Sequence, residues 1–99
     1  MVSRLVLGCG SVGHALVEKI ADWPGSVVVV DDNGGRIETL RTENVSARQG
    51  DPTDPDLIAD LPADLALVAS DDADKNLAAA KALRSVHPDV HMVAYAGES

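Results

Sequence analysis

A chain of 99 residues suits a single domain, 1–99, and leaves no room for a separate substrate-binding domain. Its 16 acidic against 8 basic residues give a formal net charge of −8, a sign that repels phosphate backbones and argues against nucleic-acid binding. No stretch approaches the roughly 18 apolar residues of a membrane span, and the opening Met-Val-Ser-Arg-Leu-Val-Leu meets glycine without a signal-peptide cleavage pattern, so direct membrane insertion is not expected and a cytoplasmic location is.

Cys9 is the only cysteine, which excludes an intrachain disulfide and fits a reducing cytosol. Twelve of the acids are Asp and only Lys19, Lys75 and Lys81 are lysines. That balance resembles halophilic proteins from salt-loaded cytoplasms; an ordinary acidic protein with an Asp bias is the alternative. The 45% apolar fraction is built from Val, Leu and Ala with no Phe, which favours a sheet between helices.

Strand-length apolar runs alternate with helical patterns along the chain. Leu5-Val6-Leu7 predicts a first strand that Gly8 stops, and Ser11 to Asp22 a helix with Val12, Leu16 and Ile20 stacked along it until Pro24-Gly25. Val27-Val28-Val29-Val30 implies a central parallel strand buried on both faces. A helix from about Asn33 to Thr42 follows, weakened by Gly34-Gly35 at about 1 kcal/mol per glycine, with Ile37 and Leu40 as its apolar side. Val45 to Gln49 reads as a weak third strand, and Asp54-Pro55 as a cap and first residue of a short helix reaching about Ala59. Leu65 to Ala69 predicts the fourth strand. Asp72 to Val86 predicts a long helix with Ala73, Leu77, Ala80 and Leu83 on one side, and Val90 to Tyr95 the fifth strand.

Strands separated by helix-length segments make right-handed βαβ units. The expected product is an α/β, Rossmann-like, doubly wound parallel sheet with strand order 3-2-1-4-5, helices on both faces, and a ligand crevice at the switch point beside strand 1. Strand 5 would be an edge strand, left for a partner or a further C-terminal part to cover.

Gly8-Cys9-Gly10-Ser11-Val12-Gly13 forms a G-x-G-x-x-G between a strand and a helix. Gly8 would permit the tight turn, Gly10 the approach of a pyrophosphate to bare backbone, and Gly13 close packing of helix on sheet. The N–H groups and positive dipole end of the Ser11 helix would then face the phosphates. Asp31 stands 18 residues after Gly13, directly behind the valine run, where an acid accepts hydrogen bonds from the adenosine ribose. Asp32 follows with no adjacent Arg or Lys, so two carboxylates would repel a 2′-phosphate and favour NAD(H) over NADP(H). Asp32 also reads as a helix cap.

Taken in order, these segments resemble the N-terminal nucleotide-binding domains of the TrkA/RCK type, cytoplasmic regulators of potassium channels and transporters. Leu-Val-Leu-Gly-Cys-Gly-Ser-Val-Gly-His-Ala-Leu matches that family's opening, and Val-Val-Val-Val-Asp-Asp-Asn its second strand and acid. Gly50-Asp51-Pro52-Thr53-Asp54 is similar to its Gly-Asp-Ala-Thr-Asp turn, and Ala69-Ser70-Asp71-Asp72 followed by Asn76 to its Ala-Thr-Asp-Asp-Asp…Asn segment. The resemblance implies that Asp51, after Gly50, lies beside the adenine end of the nucleotide, with Ala69 and Ser70 along the phosphates and second ribose. A plain turn capped by Asp51 is the structural alternative. The family often carries a basic residue in or just past strand 5, where this chain has Tyr95-Ala96-Gly97, so a phosphate or subunit contact from there does not carry over. The family's sixth strand and C-terminal ligand-sensing domain are also missing, which implies the N-terminal domain of a longer protein.

The other polar residues carry less. Cys9 reads as a small side chain filling a tight turn, with a redox-sensitive thiol at a helix start as the alternative. His14, His87 and His91 lack metal-ligand spacing with each other or with Cys9, so no metal site is expected. Asp71, Asp72 and Asp74 fit the dipole of the helix they open. Trp23 reads as core closure or part of an interface.

Nothing in the sequence pairs a nucleophile with a base or supplies a Tyr-x-x-x-Lys set, so no catalytic residues are assigned. The expected function is a non-enzymatic regulatory domain that binds NAD or NADH, with ATP or ADP as further occupants of the same site. Its expected partner is a membrane potassium channel or transporter subunit at the inner face of the membrane, or a fused C-terminal domain, within a homodimer or higher oligomer. A domain fused to a DHH-type phosphoesterase, or the cofactor half of an NAD-dependent oxidoreductase, are the alternatives.

Overall fold

The computed structural model describes residues 2–95. In chain order the elements are β1 (Ser3–Cys9), α1 (Ser11–Ile20), β2 (Ser26–Asp31), α2 (Gly34–Thr42), β3 (Ser46–Gln49), α3 (Pro55–Ala59), β4 (Leu65–Ala69), α4 (Ala73–Val86) and β5 (His91–Ala94). The strands form one parallel sheet in the order β3-β2-β1-β4-β5, as the alternating pattern predicts. Ala96 and Gly97, where the family's basic residue would stand, lie outside the described residues.

Side chains alternate between two apolar layers because successive strand residues face opposite sides of the sheet. Leu5, Leu7, Val30, Ala66 and Val68 pack with Ile58, Ala79 and Leu83 of α3 and α4. Val6, Cys9 and Val29 pack with Val17 and Leu40 of α1 and α2. Val29 and Val30 are both fully buried, one in each layer, which accounts for the unbroken valine run. Each such side chain contributes roughly 2 kcal/mol of transfer free energy.

Two helices present other faces than their apolar spacing predicts. In α1 the buried residues are Gly13, Val17 and Ile20, while Val12 and Leu16 stay exposed. A Cβ on Gly13 would stand 2.9 Å from the Ala69 carbonyl oxygen, so the helix sits on its bare spot and turns Val12 about 100° aside. In α4 the buried set is Asn76, Ala79 and Leu83, and Leu77 is exposed. Hydrogen bonds draw Asn76 inward and rotate the helix with it. Trp23 does not close the core: it is 55% exposed, with the Arg4 guanidinium 5.5 Å above its ring.

Candidate functional site

The crevice begins where β1 hands over to α1. Gly8 has φ +76°, in the left-handed region open to glycine, and a Cβ there would lie 2.7 Å from Ser70 Cβ. Beyond it the Gly10 N–H donates to the Ala69 carbonyl at 3.0 Å, tying the turn to the end of β4. Gly10 caps α1 with extended backbone and supplies no side-chain hydrogen bond, whereas Asn33, Asp54 and Asp72 cap α2, α3 and α4 with theirs. The first turn of α1 holds no acid of its own. Its N–H groups and positive dipole end therefore open between β1 and β4, where the strand order reverses.

An anion already stands there. The Ser11 N–H donates to Asp71 Oδ1 at 3.2 Å, and a Cβ on Gly10 would run into the same carboxylate. Asp71 was expected to serve the dipole of α4, but that role falls to Asp72, which accepts from Asp74 N at 3.0 Å and Lys75 N at 3.2 Å. Asp71 reaches across the crevice instead and satisfies the start of α1. Its carboxylate is exposed to solvent rather than packed.

Asp31 ends β2 at 8% exposure with both oxygens engaged. The Cys9 N–H donates to Oδ2 at 2.7 Å and the Asn33 N–H to Oδ1 at 2.8 Å, so this carboxylate joins the β1–α1 turn to the β2–α2 turn. Asp31 also lines a cavity of about 300 Å³ together with Gly10, Asp32, Ser70, Asp71 and Lys75 among others, and a carboxylate has acceptor capacity beyond those two bonds. A second cleft of about 540 Å³ adjoins it through Gly10 and runs between α1 and α2 past Ser11, His14, Gly35 and Arg36.

Asp32 is not the cap of α2; Asn33 is, accepting from the Arg36 N–H at 3.1 Å. Asp32 pairs instead with Lys75 Nζ at 2.7 Å, and that hydrogen bond holds its carboxyl below the usual range and the Lys75 ammonium above its own. The Arg36 guanidinium donates to the Cys9 carbonyl. Lys75 and Arg36 stand against Asp31, Asp32, Asp71 and Asp72 around the cavity, so its lining keeps a net negative charge.

Of the other expected residues, Ser70 lines the cavity and is fixed by Asn76, whose Oδ1 accepts from Ser70 N at 2.9 Å and Ser70 Oγ at 2.6 Å. Asn76 Nδ2 donates to the carbonyls of Ser70 and Tyr95, locking the β4–α4 turn to the end of β5. Ala69 is buried beneath Gly13, and Val12 lies with Leu16 and Val93 along an apolar groove away from the cavity. Gly50 donates its N–H to the Asp31 carbonyl at 2.9 Å, so the turn after β3 abuts the site. Asp51 accepts from the hydroxyl and N–H of Thr53, at 2.6 and 2.8 Å, and these bonds lower its pKa. Cys9 is fully buried, and desolvation pushes its thiol up to about 11 against the opposing pull of Arg36. That makes it packing for the turn, not a reactive thiol.

Sequence reasoning missed Asp71, Arg36, Lys75 and the role of Asn76. Arg36, just inside a helix that starts beside the acid strand end, offered a local signal. Lys75 offered none, because 43 residues separate it from Asp32.

The sequence model of the TrkA-N domain family matches residues 4–99. Among curated proteins no match to the sequence is found. Among solved structures, the NAD(P)-binding domain of an exopolyphosphatase-related protein from Archaeoglobus fulgidus is similar at 31% identity and TM-score 0.85, over 95% of this chain and 72% of that one. The TrkA-N domain of the inner membrane protein ybaL from Escherichia coli shares the fold at 22% identity and TM-score 0.78, over 94% and 70%. The Kef C-terminal domain from Shewanella denitrificans in its AMP-bound form shares it at 22% and 0.72, over 93% of this chain and 57% of that one.

Proposed function

The chain belongs to the TrkA-N domain family, and from that premise we propose that it is a non-catalytic regulatory domain that binds NAD or NADH, with ATP or ADP entering the same site. The pyrophosphate lies on the backbone of Gly10, Ser11, Val12 and Gly13, and the adenosine ribose on Asp31. Asp51 stands toward the adenine and Ser70 toward the phosphates and second ribose, while Ala69, buried beneath Gly13, holds the turn from below through its carbonyl. The observation that carries this reading is the α1 start: a helix without a cap of its own, at the switch point of a parallel sheet, with a carboxylate in the anion position. The NAD(P)-binding description of the Archaeoglobus domain and the AMP bound to the Kef domain support the ligand class.

Occupancy is passed to a partner, which we take to be a membrane potassium-transport subunit at the cytoplasmic face, within a homodimer or higher oligomer. The family resemblance and the Kef and ybaL neighbours support that direction. The exopolyphosphatase-related protein that carries the 31% identical domain favours a second reading, in which a fused phosphoesterase receives the signal. What is encoded beyond Ser99 separates the two: a ligand-sensing domain beside a transporter, or a phosphoesterase domain.

Isothermal titration with NAD, NADH, ATP and ADP tests the binding itself. At least one of them binds saturably below millimolar, and Asp31→Ala weakens it far more than His87→Ala. Absence of binding by all four, or equal affinities for the two variants, contradicts the assignment.

A further inference from the structure

We infer that His14, Glu18 and Glu43 form a site for one divalent transition-metal ion of the Zn²⁺ class, at the outer end of the cleft between α1 and α2. His14 and Glu18 lie one turn apart on α1, so both side chains leave the same face of the helix. Glu43 is the residue that closes α2, its N–H returned to the Leu40 carbonyl at 3.0 Å, so the helix end fixes its position. His14 Nε2 lies 3.0 Å from Glu43 Oε1 and 3.5 Å from Glu18 Oε1, and the three donor atoms all fall within 4.8 Å of one another. A tetrahedral ion with bonds of about 2.0–2.2 Å sets its ligand atoms roughly 3.3–3.6 Å apart; the Glu18 spacing falls in that range and the Glu43 spacing a few tenths of an ångström short of it.

The chemistry of the donors agrees with the geometry. One imidazole nitrogen and two carboxylate oxygens match the charge of a divalent ion and leave a coordination position for water. The imidazole selects Zn²⁺ and its neighbours over Mg²⁺ and Ca²⁺, which prefer all-oxygen sets. The negative end of the α2 dipole lies at Glu43, and the protein's charge of −8 adds a field that draws cations. His14 Nε2 already shares a hydrogen bond with Glu43 Oε1, so the imidazole and that carboxylate face the same point. The ion ties the far end of α2 to α1, whose start carries Ser11 and whose His14 also lines the cleft. The site stands independently of the nucleotide reading, since it shares no proposed ligand-binding residue with it.

The experiment is a calorimetric titration of chelator-treated protein, carrying no histidine tag, with ZnCl₂ near neutral pH. One Zn²⁺ binds per chain and Mg²⁺ does not. His14→Gln and Glu43→Gln each weaken Zn²⁺ at least 10–100-fold, because loss of even an outer-shell partner costs about that much. The double variant His87→Gln/His91→Gln keeps the wild-type affinity. Melting temperatures in chelator, equal across the variants, show that each is folded; the three side chains are exposed or half-buried. Failure of the wild type to bind Zn²⁺ saturably overturns the site. So does wild-type affinity in His14→Gln or Glu43→Gln, or loss of binding in the His87/His91 variant.

Discussion

Asp71 holds the Ser11 N–H and the space above Gly10, which the proposed function gives to a nucleotide phosphate. Neutralising this side chain removes a like charge from the phosphate position, a change worth about 1 kcal/mol in a solvated site, or roughly fivefold in affinity. Asp71→Asn is therefore expected to tighten the binding of whichever nucleotide the wild type takes, as read by calorimetry; equal or weaker binding contradicts the competition. Cys9 carries a pH signature. Its folded thiol pKa of about 11 lies above the ordinary 9.0, so between those values the unfolded chain releases a proton that the folded chain keeps. Stability is full below pH 9 and falls as pH rises toward 11, by an amount on the order of 2 kcal/mol. Lys75 loses its pairing with Asp32 at high pH too, so the comparison with Cys9→Ala is the diagnostic one. Urea midpoints decline more steeply with pH in the wild type than in Cys9→Ala, and parallel declines would contradict the buried thiol.

The β4–α4 turn depends on Asn76 more than on its own backbone. Asn76→Ala strands the Ser70 N–H and the Tyr95 carbonyl and frees α4 from the end of β5. Leaving such half-buried groups unpaired costs about 1–2 kcal/mol, so the melting temperature falls by several degrees; an unchanged melting temperature would mean that the turn holds without this side chain. The same residue explains where the elements were legible and where not. The strands, the helices and the caps at Asp54-Pro55 could be read locally, since apolar runs, proline and Asp act within a few residues. The inward faces of α1 and α4 could not. There a bare Gly13 and a hydrogen-bonded Asn76 outweigh the spacing of Val12, Leu16 and Leu77, and both act through contacts with β4 and β5 that chain order does not display. Asp32 was misread for a similar reason. Its partner Lys75 arrives from another helix, and the cap it was expected to make belongs to the next residue, Asn33.

At the scale of the whole molecule, the sheet order brings the starts of α1 and α4 and the ends of β1, β2 and β4 to one crevice. Glycine bend and strand-end acid were visible in the sequence because both are local. The charge balance of the crevice was not, because Asp71, Lys75 and Arg36 converge on it from separate elements. The most direct test follows the backbone amides of ¹⁵N-labelled protein by NMR during parallel titrations with NADH, ADP and adenosine. NADH or ADP is expected to move the amides of Gly10 to Gly13 most, with Asp31 to Asn33 next, and adenosine to leave Ser11 in place because it brings no phosphate. Shifts centred elsewhere, or an unmoved Ser11 amide at saturating nucleotide, would contradict binding at the start of α1.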